Sequence, residues 1–142
     1  MSEQDLIRSA RGAVSAFNDS DWDKYEELFT ADCLYDEVGT ARRLQSLDSI
    51  IPALKGWKAA MPDVKGTVTN AVATGNTVTL EVSWTGTHTG PLQGPSGTVP
   101  ATGKQQTTRS GWVLEFDGGK VKESRHYFDM LNFMQQLGVL PG

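Results

Sequence analysis

The chain has 142 residues, 13 of them basic and 17 acidic, for a net charge of −4. That length favours one domain with a real core. No basic run exceeds Arg42-Arg43, which excludes the electrostatic footprint of nucleic-acid binding.

Cys33 stands alone, so no intrachain disulfide can form, and its neighbours Leu34 and Tyr35 mark it as a core residue. Two histidines and one cysteine show no metal-ligand spacing. The opening Met1-Ser2-Glu3-Gln4-Asp5 is polar, and no apolar signal core or bilayer-length segment follows it. A cytoplasmic protein with no membrane contact is expected.

Leu6, Ala10, Ala13, Val14 and Phe17 recur at helical spacing, which predicts an amphipathic helix over residues 4–18. Asn18-Asp19-Ser20 stops it. Ser20 or Asp21 then caps a second helix, with Trp22, Tyr25 and Phe29 on one face. Residues 33–38 read as a short strand and 39–45 as a loop. Ser46 can cap a third helix striped by Leu47, Ile50, Ile51, Leu54 and Trp57. Pro52 fits only if that helix effectively starts near it.

From residue 64 the period changes to two. Val78, Leu80, Val82 and Trp84 share one face of a strand, with Gly86 and His88 continuing it. Residues 90–103 form a long Gly/Pro loop, a kind that is usually functional or mobile. A hairpin follows around Asp117-Gly118-Gly119-Lys120, then a short helix from Met130 to Leu137. Strands are expected near 33–38, 65–74, 77–89, 104–117 and 120–129. Three N-terminal helices ahead of a curved antiparallel sheet make an α+β cone that encloses a pocket for a small apolar ligand.

Asp129 ends the last strand beside aromatic residues. Burial there would make it a general acid or base; at the surface it would simply cap the following helix. Arg125 and Tyr127 share its strand parity, so they would tune or orient it. His126 then falls on the opposite, outward face with Phe128, in a surface suited to a homodimer contact. His88 can hydrogen-bond a substrate carbonyl or enolate. Trp84, Trp57 and Tyr35 are aromatic candidates for substrate contact, with a core role as the alternative. No phosphate loop and no G-x-S-x-G elbow occurs.

Trp84-Thr85-Gly86-Thr87-His88-Thr89-Gly90, Gly94, Ala101-Thr102-Gly103-Lys104, Phe116-Asp117-Gly118-Gly119-Lys120-Val121, Tyr127-Phe128-Asp129 and Gln136-Leu137-Gly138 together resemble the SnoaL-like polyketide cyclases. These are also called ester cyclases and lie within the nuclear-transport-factor-2-like superfamily. The resemblance spans nearly the whole chain. It implies a cofactor-free intramolecular aldol closure of a polyketide-like carbonyl compound, with no metal, flavin or nicotinamide. Asp129 would be the acid/base of that reaction; His88, on a different strand from the family's histidine, is the other catalytic candidate among these residues. The family's histidine on the preceding hairpin strand is missing here, and Glu115 is nearest its place. Tyr35 and Asp36 are similar to the base position of steroid-isomerase-like members, and only one of them can face a cavity. Two other readings stay open. One is an epoxide hydrolase using Asp129, Arg125 or Arg109, and Asp36 or Glu115. The other is a non-catalytic protein that binds a small ligand.

Overall fold

A computed structural model describes residues 1–94 and 97–140. Helix α1 (Glu3–Asn18) begins in a capping box. Ser2 Oγ accepts the Asp5 N–H, and the Asp5 carboxylate accepts the Ser2 N–H. Its apolar stripe, Leu6 through Phe17, is buried. Burying one such Phe or Leu contributes about 1.5–3 kcal/mol, so packing rather than propensity holds the helix.

Helix α2 (Trp22–Glu27) is a short turn capped by Asp21. It ends before Phe29, which opens strand β1 (Phe29–Glu37) instead of extending the helix. Phe29 stacks on Tyr25 at 4.5 Å between ring centroids, so both keep the contact that a helix face would have given. A 3₁₀ turn at Val38–Thr40 leads to strand β2 (Arg42–Gln45), where only a loop was expected. Helix α3 (Leu47–Ala60) starts well before Pro52. The proline sits on the exposed side, where water can take the carbonyl that its missing N–H leaves free.

The remaining strands are β3 (Lys65–Thr74), β4 (Thr77–Thr87), β5 (Leu92–Gly94), β6 (Gly97–Val99), β7 (Gln105–Asp117) and β8 (Lys120–Phe128), followed by helix α4 (Met130–Leu137). Of the eight strands among the described residues, six form one sheet in the order β2-β1-β8-β7-β4-β3. All pairs in it are antiparallel except β1–β8, which is parallel, so the sheet is mixed. The β5–β6 hairpin occupies part of the expected 90–103 loop; Pro95 and Ser96 of that loop lie outside the described residues. The α+β cone is as expected.

The Asn18 side chain clamps α1 to β3, donating to the Gly66 carbonyl at 2.9 Å and accepting the Gly66 N–H at 2.8 Å. Gln136 clamps α4 to β7 in the same two-way fashion through Thr107. The helices therefore close over one face of the sheet only. Among the described residues no helix is long and apolar enough to cross a membrane.

Candidate functional site

Between the helices and the concave face of the sheet lies a cavity of about 80 Å³. Phe17, Leu54, Trp57, Trp84, Trp112 and Phe133 supply apolar wall. An apolar cavity of about 150 Å³ takes benzene, so a ligand of that size or larger must displace lining side chains.

The polar groups in this wall come mainly from β1, β7 and β8. Glu37 and His126 are register partners on the parallel pair β1–β8, and His126 faces Trp112 on β7. Tyr35 lies two residues before Glu37 and so shares its face. Glu37 is fully buried, an unusual position for a carboxylate. Its Oε1 accepts from the Thr40 hydroxyl and from Arg42 Nε at 3.2 Å and Nη2 at 2.9 Å; its Oε2 accepts from Trp57 Nε1 at 3.0 Å. A carboxylate has about four acceptor sites. Oε1 is committed, while Oε2 keeps capacity for another donor. The Arg42 pair offsets part of the desolvation cost of the charge.

His126 is buried between two hydroxyls. Its Nδ1 lies 2.9 Å from Tyr35 Oη and its Nε2 lies 2.9 Å from Ser110 Oγ. Burial drives its pKa down to about 4, against an upward pull from the Glu37 charge. The imidazole is therefore neutral at pH 7. Burial, and then the Glu37 charge, push the Tyr35 phenol well above its ordinary range. The result is a largely apolar cavity that sets the Arg42-paired Glu37 carboxylate beside a neutral imidazole and a phenol, a set that can exchange protons with a ligand.

Tyr35, Trp57 and Trp84 line the cavity. Asp129 does not. Its carboxylate is exposed and caps α4, accepting the Asn132 N–H at 2.9 Å, so the expected burial in the pocket is corrected to a capping role. The expected parity of the last strand is corrected with it. Phe116 faces Val121, but Glu115 faces Glu123, so β8 carries one extra residue, Lys122. This bulge turns over every later side chain. His126 points inward. Arg125 and Tyr127 point outward, and Tyr127 is 46 % exposed. Arg125 there bridges Glu115 and Glu123, which leaves neither Arg125 nor Glu115 on the cavity. Asp36 faces Arg125 across the parallel pair, on that same outer side.

His88 is also misplaced by the sequence reading. It is fully buried, but it is not part of the cavity wall. Its Nδ1 accepts the Thr102 N–H at 3.2 Å, so the ring pins the far end of the 88–104 connection. Burial lowers its pKa.

The family model for SnoaL-like polyketide cyclases matches residues 8–137. The chain belongs to this family. No protein of curated function matches it. Among solved structures, AclR of Streptomyces galilaeus, named as a candidate hydroxylase, is 24 % identical with a TM-score of 0.83, over 99 % of this chain and 100 % of that one. IdmH of Streptomyces antibioticus, named as a candidate polyketide cyclase, is 24 % identical with a TM-score of 0.81, over 94 % and 99 %. A protein from Catenulispora acidiphila with a ketosteroid-isomerase-like fold is 19 % identical with a TM-score of 0.77, over 94 % and 93 %. At these identities the likeness carries the fold.

Within this SnoaL-like cone, sequence reasoning missed Glu37, Ser110, Gln106, Thr108 and Phe133 as cavity residues or their partners. Glu37 was within reach, since choosing Tyr35 as the inward residue of β1 selects Glu37 two positions on. Phe133 became visible only when α4 folded back over the open end, where its ring meets Trp57 edge-on at 5.6 Å.

Proposed function

We propose that this SnoaL-like protein is a cofactor-independent enzyme that moves a proton on a small, largely apolar carbonyl compound. The reaction would be a ring closure, as the family's name has it, of the intramolecular aldol kind. The single observation that carries this reading is the Tyr35–His126 pair beside the buried Glu37 carboxylate, inside a mostly apolar wall. The proton leaving an acidic carbonyl compound passes to the pair, and the resulting enolate attacks a second carbonyl of the same molecule. The proton then returns to the new alkoxide. The Glu37 carboxylate, paired with Arg42 and set opposite His126, would offset positive charge on the imidazole while the proton resides there. The apolar walls hold the two reacting carbons together and exclude water. The acid/base role assigned to Asp129 from the sequence passes to these inward residues.

A paired-acid epoxide opening has less support. Glu37 is the one carboxylate on the wall among the described residues, and Asp129, Asp36, Glu115 and Arg125 lie outside. A cytoplasmic location belongs to this reading, and the free, buried Cys33 suits a reducing compartment. So does the homodimer, which now rests on Val72 and Tyr127, both exposed on the outer sheet face. Sedimentation as a 15.4 kDa monomer at micromolar concentration would remove the dimer.

The test is exchange of the acidic C–H of a small β-keto ester in D₂O, followed by proton NMR. Wild type should accelerate exchange over buffer. Tyr35→Phe and His126→Gln should each lose about 10²–10⁴-fold. Exchange at the buffer rate, or variants as fast as wild type, would overturn the reading in favour of a binding protein.

A further inference from the structure

We propose that Ser110 and Trp84 fix His126 in a single tautomer, so that the ligand must offer Tyr35 an O–H, from an enol or a hydroxyl, and not a bare carbonyl oxygen. The proposal deepens the reading of the Tyr35–His126 pair given above and rests on it.

The argument is a count of protons. A serine hydroxyl has one hydrogen to give and two lone pairs to receive. Ser110 Oγ has three polar neighbours. Trp84 Nε1 lies at 3.0 Å and can only donate. The Val82 carbonyl lies at 3.2 Å and can only accept. His126 Nε2 lies at 2.9 Å and can do either. If Trp84 uses one lone pair and Val82 takes the hydrogen, one lone pair remains, and it faces Nε2. All three contacts are then hydrogen bonds only when Nε2 carries a hydrogen and donates it. Buried polar groups are arranged to satisfy such contacts.

The consequence travels across the ring. A neutral imidazole protonated at Nε2 presents a lone pair at Nδ1. Tyr35 Oη, 2.9 Å away, must then give its only hydrogen to Nδ1 and not to the neighbouring Glu37 carboxylate, the competing acceptor on the same strand face. The phenol oxygen meets the cavity as an acceptor. A ligand hydroxyl or enol would complete it; a β-keto ester would therefore bind as its enol, since its keto form would set lone pair against lone pair. In the proton transfer the ligand O–H breaks and a new H–Oη bond forms, while the original phenol hydrogen moves to Nδ1. The electron pair of the ligand O–H stays on the ligand oxygen as the enolate. The return step reverses each movement. Trp84 contributes twice, since its ring also walls the cavity beside Phe17. Ser110 touches no ligand in this scheme and is a positioning residue.

The experiment reads the tautomer directly. Nitrogen-15 NMR of the imidazoles at pH 7 should show His126 protonated at Nε2 and bare at Nδ1 in the full chain. A hydrogen on Nδ1 would overturn the proposal. Ser110→Ala, with Trp84→Phe as a second variant, should let the two forms mix; an unchanged tautomer in both would equally overturn it. The ligand arm compares phenol with anisole, which lacks the hydrogen. Wild type should favour phenol by at least about tenfold, and Ser110→Ala should shrink that ratio several-fold. No preference, or preference for anisole, defeats the proposal. Because neither readout uses turnover, a correct tautomer with no C–H exchange would sink the proposed function and leave this inference standing.

Discussion

Tyr35 Oη and His126 Nδ1 stand 2.9 Å apart, although 91 positions separate the two residues along the chain. The parallel pairing of β1 with β8 brings them together, and it also sets Glu37 beside His126. The proposed proton chemistry therefore depends on a contact between the first and last strands of the main sheet.

That dependence separates Glu37 from Asp129. Glu37→Gln keeps the shape but removes the anion that offsets a protonated His126, and it should slow β-keto ester exchange by about 10²-fold or more. Asp129→Asn should leave the rate unchanged, and the melting temperature too, since Asn caps a helix as well as Asp. Asp129→Ala should cost about 1 kcal/mol in urea denaturation. A large rate loss in Asp129→Asn would place the chemistry back at the end of β8.

Stability should rise with pH across the range where His126 titrates. Its folded pKa is about 4, below the ordinary 6.5. Between those values the unfolded chain binds more protons than the folded one, so stability increases with pH there. The contribution is fully present above about pH 6.5 and is lost as the pH falls towards 4. Its size is on the order of 3 kcal/mol. His88, lowered by burial as well, acts in the same direction. Urea midpoints measured between pH 7.5 and 4.5 should fall steadily in wild type and less in His126→Gln. A flat wild-type curve would contradict the burial.

Gly66→Ala should be costly. A Cβ there would stand 2.5 Å from the Trp84 ring, which is held edge-on to Phe17 and bonded to Ser110. Overpacking of this kind costs about 1–3 kcal/mol. Calorimetry should show a lowered melting temperature, and tryptophan fluorescence should report the displaced ring. A variant with wild-type values in both would mean that the ring moves freely.

Arg125→Ala tests the outer face. Arg125 bridges Glu115 and Glu123, which stand opposite each other on adjacent strands. Its loss leaves two like charges facing, at a cost of up to about 1 kcal/mol that shrinks with added salt. Exchange activity should not change. A strong loss of activity at full stability would put Arg125 on the ligand side of the sheet.

The sequence by itself determined the order of the long helices and strands, the change from helical to strand period near residue 64, the final hairpin and the family. These follow from local rules, because the spacing of Leu6 to Phe17 or of Val78 to Trp84 is readable without any partner. The aromatic wall was partly legible for the same reason, through Tyr35, Trp57 and Trp84. Which side of β8 faces the cavity was not legible. One extra residue at Lys122 reverses the face of His126, Arg125 and Tyr127, and a bulge depends on how β8 pairs with β7 rather than on β8 alone. Past the end of β8 the chain turns into α4, so strand parity has no hold on Asp129 and the helix cap decides its place. The parallel docking of β1 on β8 was equally hidden. Residues far apart in sequence meet there only because burying the apolar faces of the helices and the sheet brings both strands into one sheet. That docking alone puts a carboxylate, a phenol and an imidazole around one cavity.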